Sequence, residues 1–217
     1  DEMKAKRVVV IDDRTGYGQP LADIFTNQLQ AKGVKVLERH YTNDKATDFA
    51  AILTSVKRVN PDLIFYGGMD AQAGPMLRQM KQLGIKATLI GGDGICTAEL
   101  MRLGGDNVGS NVLCAEGGMA LSKMPGGPAF EKRYKTQFKR DIQVYAPFVY
   151  DAVITMGMAM KNAKSADPKK YLPKLKDIRH EGVIGTIAFD NAGDVLNAPV
   201  TLNSYNAQGK FPVKVVN

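Results

Sequence analysis

Hydrophobic and polar positions alternate between two periods along the first third of the chain. Residues 7–11, Arg-Val-Val-Val-Ile, form a short apolar run that ends at Asp12 and Asp13. Gly and Pro follow, and then Leu21, Ile24, Phe25 and Leu29 recur at helical spacing. The pattern predicts strand, loop, helix. Gly33 closes that helix, 34–41 predicts a second strand, and 49–59 predicts a helix with Ala50, Leu53 and Val56 on its apolar face. Asn60-Pro61 stops it. Residues 63–66 read as a buried strand, 71–83 as a helix, and 87–90 as a fourth strand that runs into Gly91-Gly92-Asp93-Gly94. Repeated βα units of this length predict an α/β fold, a parallel sheet with helices on both faces. Such sheets take ligands outside the carboxyl ends of their strands, which nominates the loops 12–19, 67–72 and 91–96.

After an apolar stretch at 112–116 the pattern changes. Gly117-Gly118 and the Pro- and Gly-rich stretch 122–128 predict a connection between units, with a boundary near 117–127. Residues 130–138 predict a basic amphipathic helix. The stretch 145–163 predicts the most apolar helix of the chain, with Pro147 in its first turn and Val149, Val153, Met156 and Met160 sharing a face. A helix of that kind needs a partner. The tail carries strand-like runs at 184–189, 200–205 and 212–216, separated by turn signals at 190–194 and 206–209.

Composition narrows the function classes. The chain has 217 residues, 44% hydrophobic and 24% charged, the balance of a globular protein of one large domain or two small lobes. No apolar run approaches the roughly 18 to 20 residues of a membrane span. The N-terminal Asp1-Glu2-Met3-Lys4 does not resemble a signal peptide. The net charge is +7, but the basic residues are scattered, with no interleaved aromatic platform, so a nucleic-acid partner is not expected. Cys96 and Cys114 lie 18 positions apart, compatible with one disulfide or two buried thiols. With only His40 and His180 to join them, and no close ligand spacing, a structural zinc is not expected.

The motifs of common enzymes are missing. The loop after the first strand stands where a dinucleotide fingerprint would, but the third glycine position is Leu21. There is no phosphate-binding loop and no nucleophile elbow. Asp12, Asp13, Asp70 and Asp93 fall at predicted strand ends, where carboxylates could do acid–base work. With no histidine in those loops, binding is the simpler role. Asp93, set among glycines, suits a small cation such as an ammonium group. Its alternative is to cap the helix after Cys96 or to form an Asx-turn. Tyr17 is either a pocket hydroxyl or an exposed tyrosine, and Met69 either a pocket wall or a core residue.

Four segments carry a resemblance: Arg-Val-Val-Val-Ile-Asp-Asp-Arg-Thr-Gly-Tyr-Gly-Gln-Pro-Leu-Ala from 7, Phe-Tyr-Gly-Gly-Met-Asp-Ala-Gln-Ala-Gly-Pro-Met-Leu-Arg-Gln from 65, Ile-Gly-Gly-Asp-Gly from 90, and Tyr-Ala-Pro-Phe-Val-Tyr-Asp-Ala-Val from 145. In their order and spacing the chain resembles the periplasmic branched-chain amino acid binding proteins, the type I solute-binding components of ABC importers. The resemblance implies a two-lobed fold that closes on an amino acid, with no cofactor, no metal and no catalysis. It implies that residues 1–118 are the second ligand-binding lobe, 119–182 the C-terminal helices of the first lobe, and 183–217 crossing strands that return to the second. Asp93 would hold the α-ammonium group and Tyr17 would close over the ligand. Met69 or Asp70 would lie near the ligand side chain, and Tyr145 would be a hinge-side pocket residue. Many relatives carry an aromatic residue where this chain has Met69.

The chain begins where the second lobe of that family begins, so the carboxylate-holding loops of the first lobe are expected to be missing and the chain to be a fragment. The 147–163 helix would then lie bare, favouring homo-association. The resemblance further implies a periplasmic location, a membrane permease as partner, and oxidising conditions in which Cys96 and Cys114 would pair. A ligand-sensing domain of the same fold and, less favoured, an enzyme using strand-end carboxylates are the alternatives.

Overall fold

Successive side chains of β1 (Val8–Asp12) point to opposite faces of the sheet, and the packing follows from that period of two. Val9 and Ile11 lie in one core with Phe49, Leu53, Val56, Met76 and Leu77, whereas Val8 and Val10 pack with Leu21, Phe25 and Leu29. The strand β3 (Leu63–Gly67) repeats the division, with Ile64 and Tyr66 on the first face and Leu63 and Phe65 on the second. Strands buried on both faces are therefore apolar throughout. Each such side chain taken fully from water contributes about 1.5–3 kcal/mol. The computed structural model describes residues 4–216. Asp1, Glu2 and Met3, on which the expectation of no leader rested, lie outside the described residues.

The remaining elements are α1 (Gly18–Ala31), β2 (Val36–Tyr41), α2 (Ala50–Val59), α3 (Asp70–Gln82), β4 (Thr88–Gly91), α4 (Ala98–Gly104), β5 (Val112–Gly117), α5 (Gly127–Phe138), α6 (Ala146–Ala163), α7 (Pro168–Lys176), β6 (His180–Glu181), β7 (Thr186–Ile187), β8 (Val200–Asn206) and β9 (Gly209–Val216). A single 3-10 turn, Asp93–Ile95, lies between β4 and α4. Seven strands form one sheet in the order β2-β1-β3-β4-β5-β8-β9. The first five are parallel, with Val10 opposite Phe65, Phe65 opposite Ile90, and Ile90 opposite Leu113. From β1 the chain crosses to β2 on one side and then returns to β3 on the other, so the order of strand addition reverses between β1 and β3. The crevice at the carboxyl ends of those two strands is where such folds take ligands.

The chain divides into two compact units, one of residues 1–116 with 202–214 and one of residues 117–201 with 215–217. The first holds most of the sheet with α1 to α4. In the second, α5, α6 and α7 accompany the two-stranded ribbon β6-β7. Residues 183–201 lie in the second unit and 202–214 in the first. Phe130 of α5 packs its ring 5.2 Å from that of Tyr150 on α6.

Several expectations need correction. Ala50 is exposed and Phe49, just outside α2, fills the core position beside Leu53 and Val56. Ile24 is 60% exposed, so α1 packs through Leu21, Phe25 and Leu29. The expected strand 184–189 shrinks to β7, and α7 falls within 119–182, where the resemblance implied helices but no periodicity marked this one. On α6 the stripe that packs is Pro147, Asp151, Thr155 and Ala159, while Val149 and Val153 are 57% and 62% exposed. Asp151 lies on the packed stripe. Its Oδ2 accepts the Ile184 N–H at 2.8 Å, and a Cβ on Gly182 would stand 2.4 Å from that oxygen. The other oxygen, Oδ1, is buried with no hydrogen-bond partner among the described residues, and the exposed valines fit the expectation that the apolar face of this helix lies bare.

Candidate functional site

The first loop at the carboxyl end of the sheet is held by its own acids. Asp12 is fully buried and accepts from the Arg39 guanidinium at 2.7 Å and from the Arg14 N–H at 3.1 Å. Arg39 also reaches Asp23 at 2.6 Å. Burial works against the charge on Arg39, but the two carboxylates outweigh it and the net effect on its pKa is upward. Asp13 Oδ1 accepts from the Thr15 hydroxyl at 2.6 Å and its N–H at 3.0 Å, while the Asp13 N–H donates to the Gly67 carbonyl at 3.0 Å. Both acids therefore shape the loop rather than face a substrate.

That shape delivers Tyr17 to the second acid cluster. The Tyr17 hydroxyl donates to Asp93 Oδ1 at 2.9 Å and accepts the Gly94 N–H at 3.1 Å. Both residues are half-buried. The glycines beside Asp93 are demanded by contact: a Cβ on Gly92 would stand 2.6 Å from the Tyr17 hydroxyl, and one on Gly94 would stand 2.8 Å from both Met69 Sδ and the Gly68 carbonyl oxygen. Tyr17 after β1, Met69 after β3 and Asp93 after β4 thus converge at the sheet's carboxyl end. Met69 is 42% exposed there. The arrangement can offer a cation a carboxylate oriented by a phenol, with a thioether wall beside it.

Asp70 and Tyr145 are placed differently. Asp70 Oδ2 accepts the Thr97 hydroxyl at 2.5 Å, and Thr97 in turn accepts the Leu100 N–H at 3.1 Å as the N-cap of α4. The cap expected as an alternative for Asp93 therefore belongs to Thr97. Tyr145 belongs to the second unit, where it precedes α6 and is 45% exposed.

Behind Asp93 stands a group of residues without a sequence expectation, apart from the two cysteines. Cys96 and Cys114 form a disulfide with Cα atoms 5.4 Å apart. The buried Tyr205 hydroxyl donates to the Ile95 carbonyl at 2.7 Å, and Lys210 Nζ donates to the Cys96 carbonyl at 3.0 Å and pairs with Glu116. Thr97 carries a legible signal, a threonine opening a helix. Tyr205 and Lys210 carry none, because their partners lie 94 to 114 residues away in sequence.

Among the described residues no three His, Cys, Asp or Glu side chains converge as a metal ion would require, and no helix is long and apolar enough to cross a membrane. A cleft of about 290 Å³ in the second unit is lined by Arg133, Tyr150, Asp151, His180 and Glu181 among others. Its buried acid Asp151 accepts the Ile184 N–H through Oδ2, whereas Oδ1 has no hydrogen-bond partner among the described residues.

Comparison with known proteins places this geometry. The family described as periplasmic binding protein matches residues 1–210. An amino acid binding protein of Pseudomonas aeruginosa is 29% identical over 210 residues, covering 96% of this chain and 56% of that protein. A Leu/Ile/Val-binding protein homolog 1 of Brucella abortus strain 2308 is 30% identical over 201 residues, covering 89% of this chain and 52% of that protein. The chain thus spans about half the length of the curated relatives it matches. The crystal structure of the leucine binding protein LivK from Thermotoga maritima superposes with a TM-score of 0.90 at 27% identity, over all of this chain and 62% of that one. With the parallel sheet, the switch-point cluster and a family match over nearly its whole length, the chain belongs to the periplasmic binding protein family.

Proposed function

We propose that the chain is part of a solute-binding component of an ABC importer, which captures an amino acid by lobe closure and delivers it to a membrane permease outside the cytoplasm, in the periplasm. In this proposal residues 1–118 are the second lobe, 119–182 the C-terminal helices of the first, and 183–217 the crossing strands and tail. The observation that carries it is the Tyr17–Asp93 hydrogen bond at the switch point, which presents a half-buried carboxylate where an α-ammonium group would arrive. A cation and a carboxylate that meet as water leaves gain far more than the same pair in bulk water. Met69 and Asp70 then border the ligand side chain, and Tyr145 contributes from the hinge side. The name of the Pseudomonas relative supports an amino acid, and those of the Brucella relative and of LivK support one of the branched-chain class.

Capture without turnover is supported by the commitment of the other strand-end acids. Asp12 is engaged by Arg39 and Arg14, and Asp13 by Thr15, so neither faces a reactant as a base. Calorimetry on the full-length protein, with L-leucine, L-isoleucine and L-alanine, tests the proposal. Asp93→Asn is expected to weaken binding by about 100-fold or more, since it leaves a desolvated ammonium without its counter-charge. Equal binding by the variant would remove Asp93 from the site.

A further inference from the structure

The Asp93 carboxylate sits on an element too short to hold itself. The 3-10 turn Asp93–Ile95 contributes one short stretch of backbone hydrogen bonding, in which Ile95 N–H donates to the Gly92 carbonyl at 3.2 Å and Cys96 N–H to the Asp93 carbonyl at 2.9 Å. Turns of this length have little intrinsic stability and take their position from what they are tied to. Besides the Tyr17 hydroxyl, the ties come from β5 and β8 of the same sheet. Tyr205 on β8 is 1% exposed, and its hydroxyl reaches the Ile95 carbonyl at 2.7 Å and lies 3.5 Å from the Thr97 carbonyl, so it spans Cys96 from both sides. Cys96 itself is bonded to Cys114 on β5. Burial, reinforced by the charges of Glu116 and Asp70, pushes the Tyr205 phenol well up, which keeps it a neutral donor.

We propose that Tyr205 is a positioning residue for ligand capture: together with the Cys96–Cys114 bridge, its hydroxyl fixes the 93–97 turn and so sets where the Asp93 carboxylate meets the ligand ammonium. The inference rests on the ammonium role given to Asp93 under the proposed function. It assigns part of the amino acid selectivity to a buried side chain that never touches the ligand.

Tyr205→Phe keeps the ring and removes the hydroxyl, and Cys96→Ala with Cys114→Ala removes the bridge. Hydrogen exchange at the Gly94 and Cys96 amides reads the turn directly. Both variants are expected to speed it about 10-fold while amides of β1 and β3 keep their native rates, the signature of local rather than global opening. The second measurement is the ratio of affinities for L-leucine and for 4-methylpentanoate, which is leucine without its amine. Tyr205→Phe is expected to lower that ratio about 5-fold, the worth of roughly one hydrogen bond, and Asp93→Asn to lower it further. If Tyr205→Phe leaves the exchange or the ratio at the native value while Asp93→Asn collapses the ratio, the positioning role is wrong and the ammonium role stands. If Asp93→Asn leaves the ratio unchanged, the ammonium role itself is wrong and takes the positioning role with it.

Discussion

Gly18 and Gly67 meet backbone to backbone: a Cβ on Gly18 would stand 2.3 Å from the Gly67 carbonyl oxygen, and a Cβ on Gly67 would stand 2.3 Å from that of Gly18. The contact brings the start of α1 against the end of β3, the two elements that flank the switch point. Asp13 Oδ1 closes the remaining space, 2.2 Å from the same Gly18 Cβ position. Gly18→Ala has no flexible neighbour to displace, so strand and helix must separate. The cost expected is about 1–3 kcal/mol, as for other overpacked interiors. A urea titration should show a lower midpoint with an unchanged slope, and an unchanged midpoint would mean that the backbone yields freely there.

Tyr17→Phe isolates the phenol from the ring. The ring keeps its place beside Gly92 and Gly94, while the bond to Asp93 Oδ1 and the acceptor for the Gly94 N–H disappear. Hydrogen bonds to a charged group are worth about 1.5–3 kcal/mol. Amino acid affinity is therefore expected to fall about 10-fold or more by calorimetry. Binding as tight as the native chain's would show that Asp93 orients without the phenol.

Val149 and Val153 stand one turn apart on α6, and with Ile154 and Met156 they leave an apolar surface exposed on the second unit. Contiguous patches of this sort favour association in water. The chain in isolation is expected to show a concentration-dependent mass by light scattering, and Val153→Lys to shift it towards monomer with little loss of stability, since that side chain is 62% exposed. A native chain that stays monomeric at every concentration would dismiss this surface as an association site.

The alternation of β1 and β3 was legible because a strand buried on both faces needs apolar residues at every position. The loops that carry Tyr17, Met69 and Asp93 were legible for the complementary reason, as glycine-rich polar breaks at strand ends. The register of α6 was not. Apolar spacing picked Val149 and Val153, which stay exposed as expected of a helix left bare, while the buried stripe runs through Asp151, a polar residue that accepts the Ile184 N–H. Strand β8 hid its role in the same way. Thr201, Asn203 and Tyr205 alternate as a polar face would, yet all three are buried, and Thr201 and Tyr205 donate to distant backbone carbonyls. Helix α7 showed no periodicity of its own within the expected helices of 119–182, because Pro168, Pro173 and a run of lysines resemble a loop, whereas Asp167 caps it through the Lys169 N–H at 3.0 Å. Each miss involves a polar group whose partner is remote in sequence or visible only as backbone.

Asp62 gives the acid limb of stability a specific source. It precedes β3 and accepts from the Arg7 guanidinium at 2.8 Å and from the Lys6 and Arg7 N–H groups at 3.0 Å each, tying the approach to β1 onto the neighbouring strand. The Arg7 side chain, with those two backbone donors, holds the Asp62 carboxyl down to about 2 from the ordinary 3.8. A group whose pKa is lower in the folded chain stabilises it above the unfolded value, and that contribution fades as pH falls through the folded value. The stability difference between the native chain and Asp62→Asn is therefore expected to be constant above about pH 5, to shrink as pH falls from near 4 towards 2, and to vanish below that range. The pair is partly exposed, with the Arg7 and Asp62 side chains 47% and 35% accessible, so added salt should narrow the plateau difference as well. Urea midpoints of both proteins across this pH range provide the measurement. A difference that stays constant down to pH 2 would show that the Asp62 contacts do not depend on its charge.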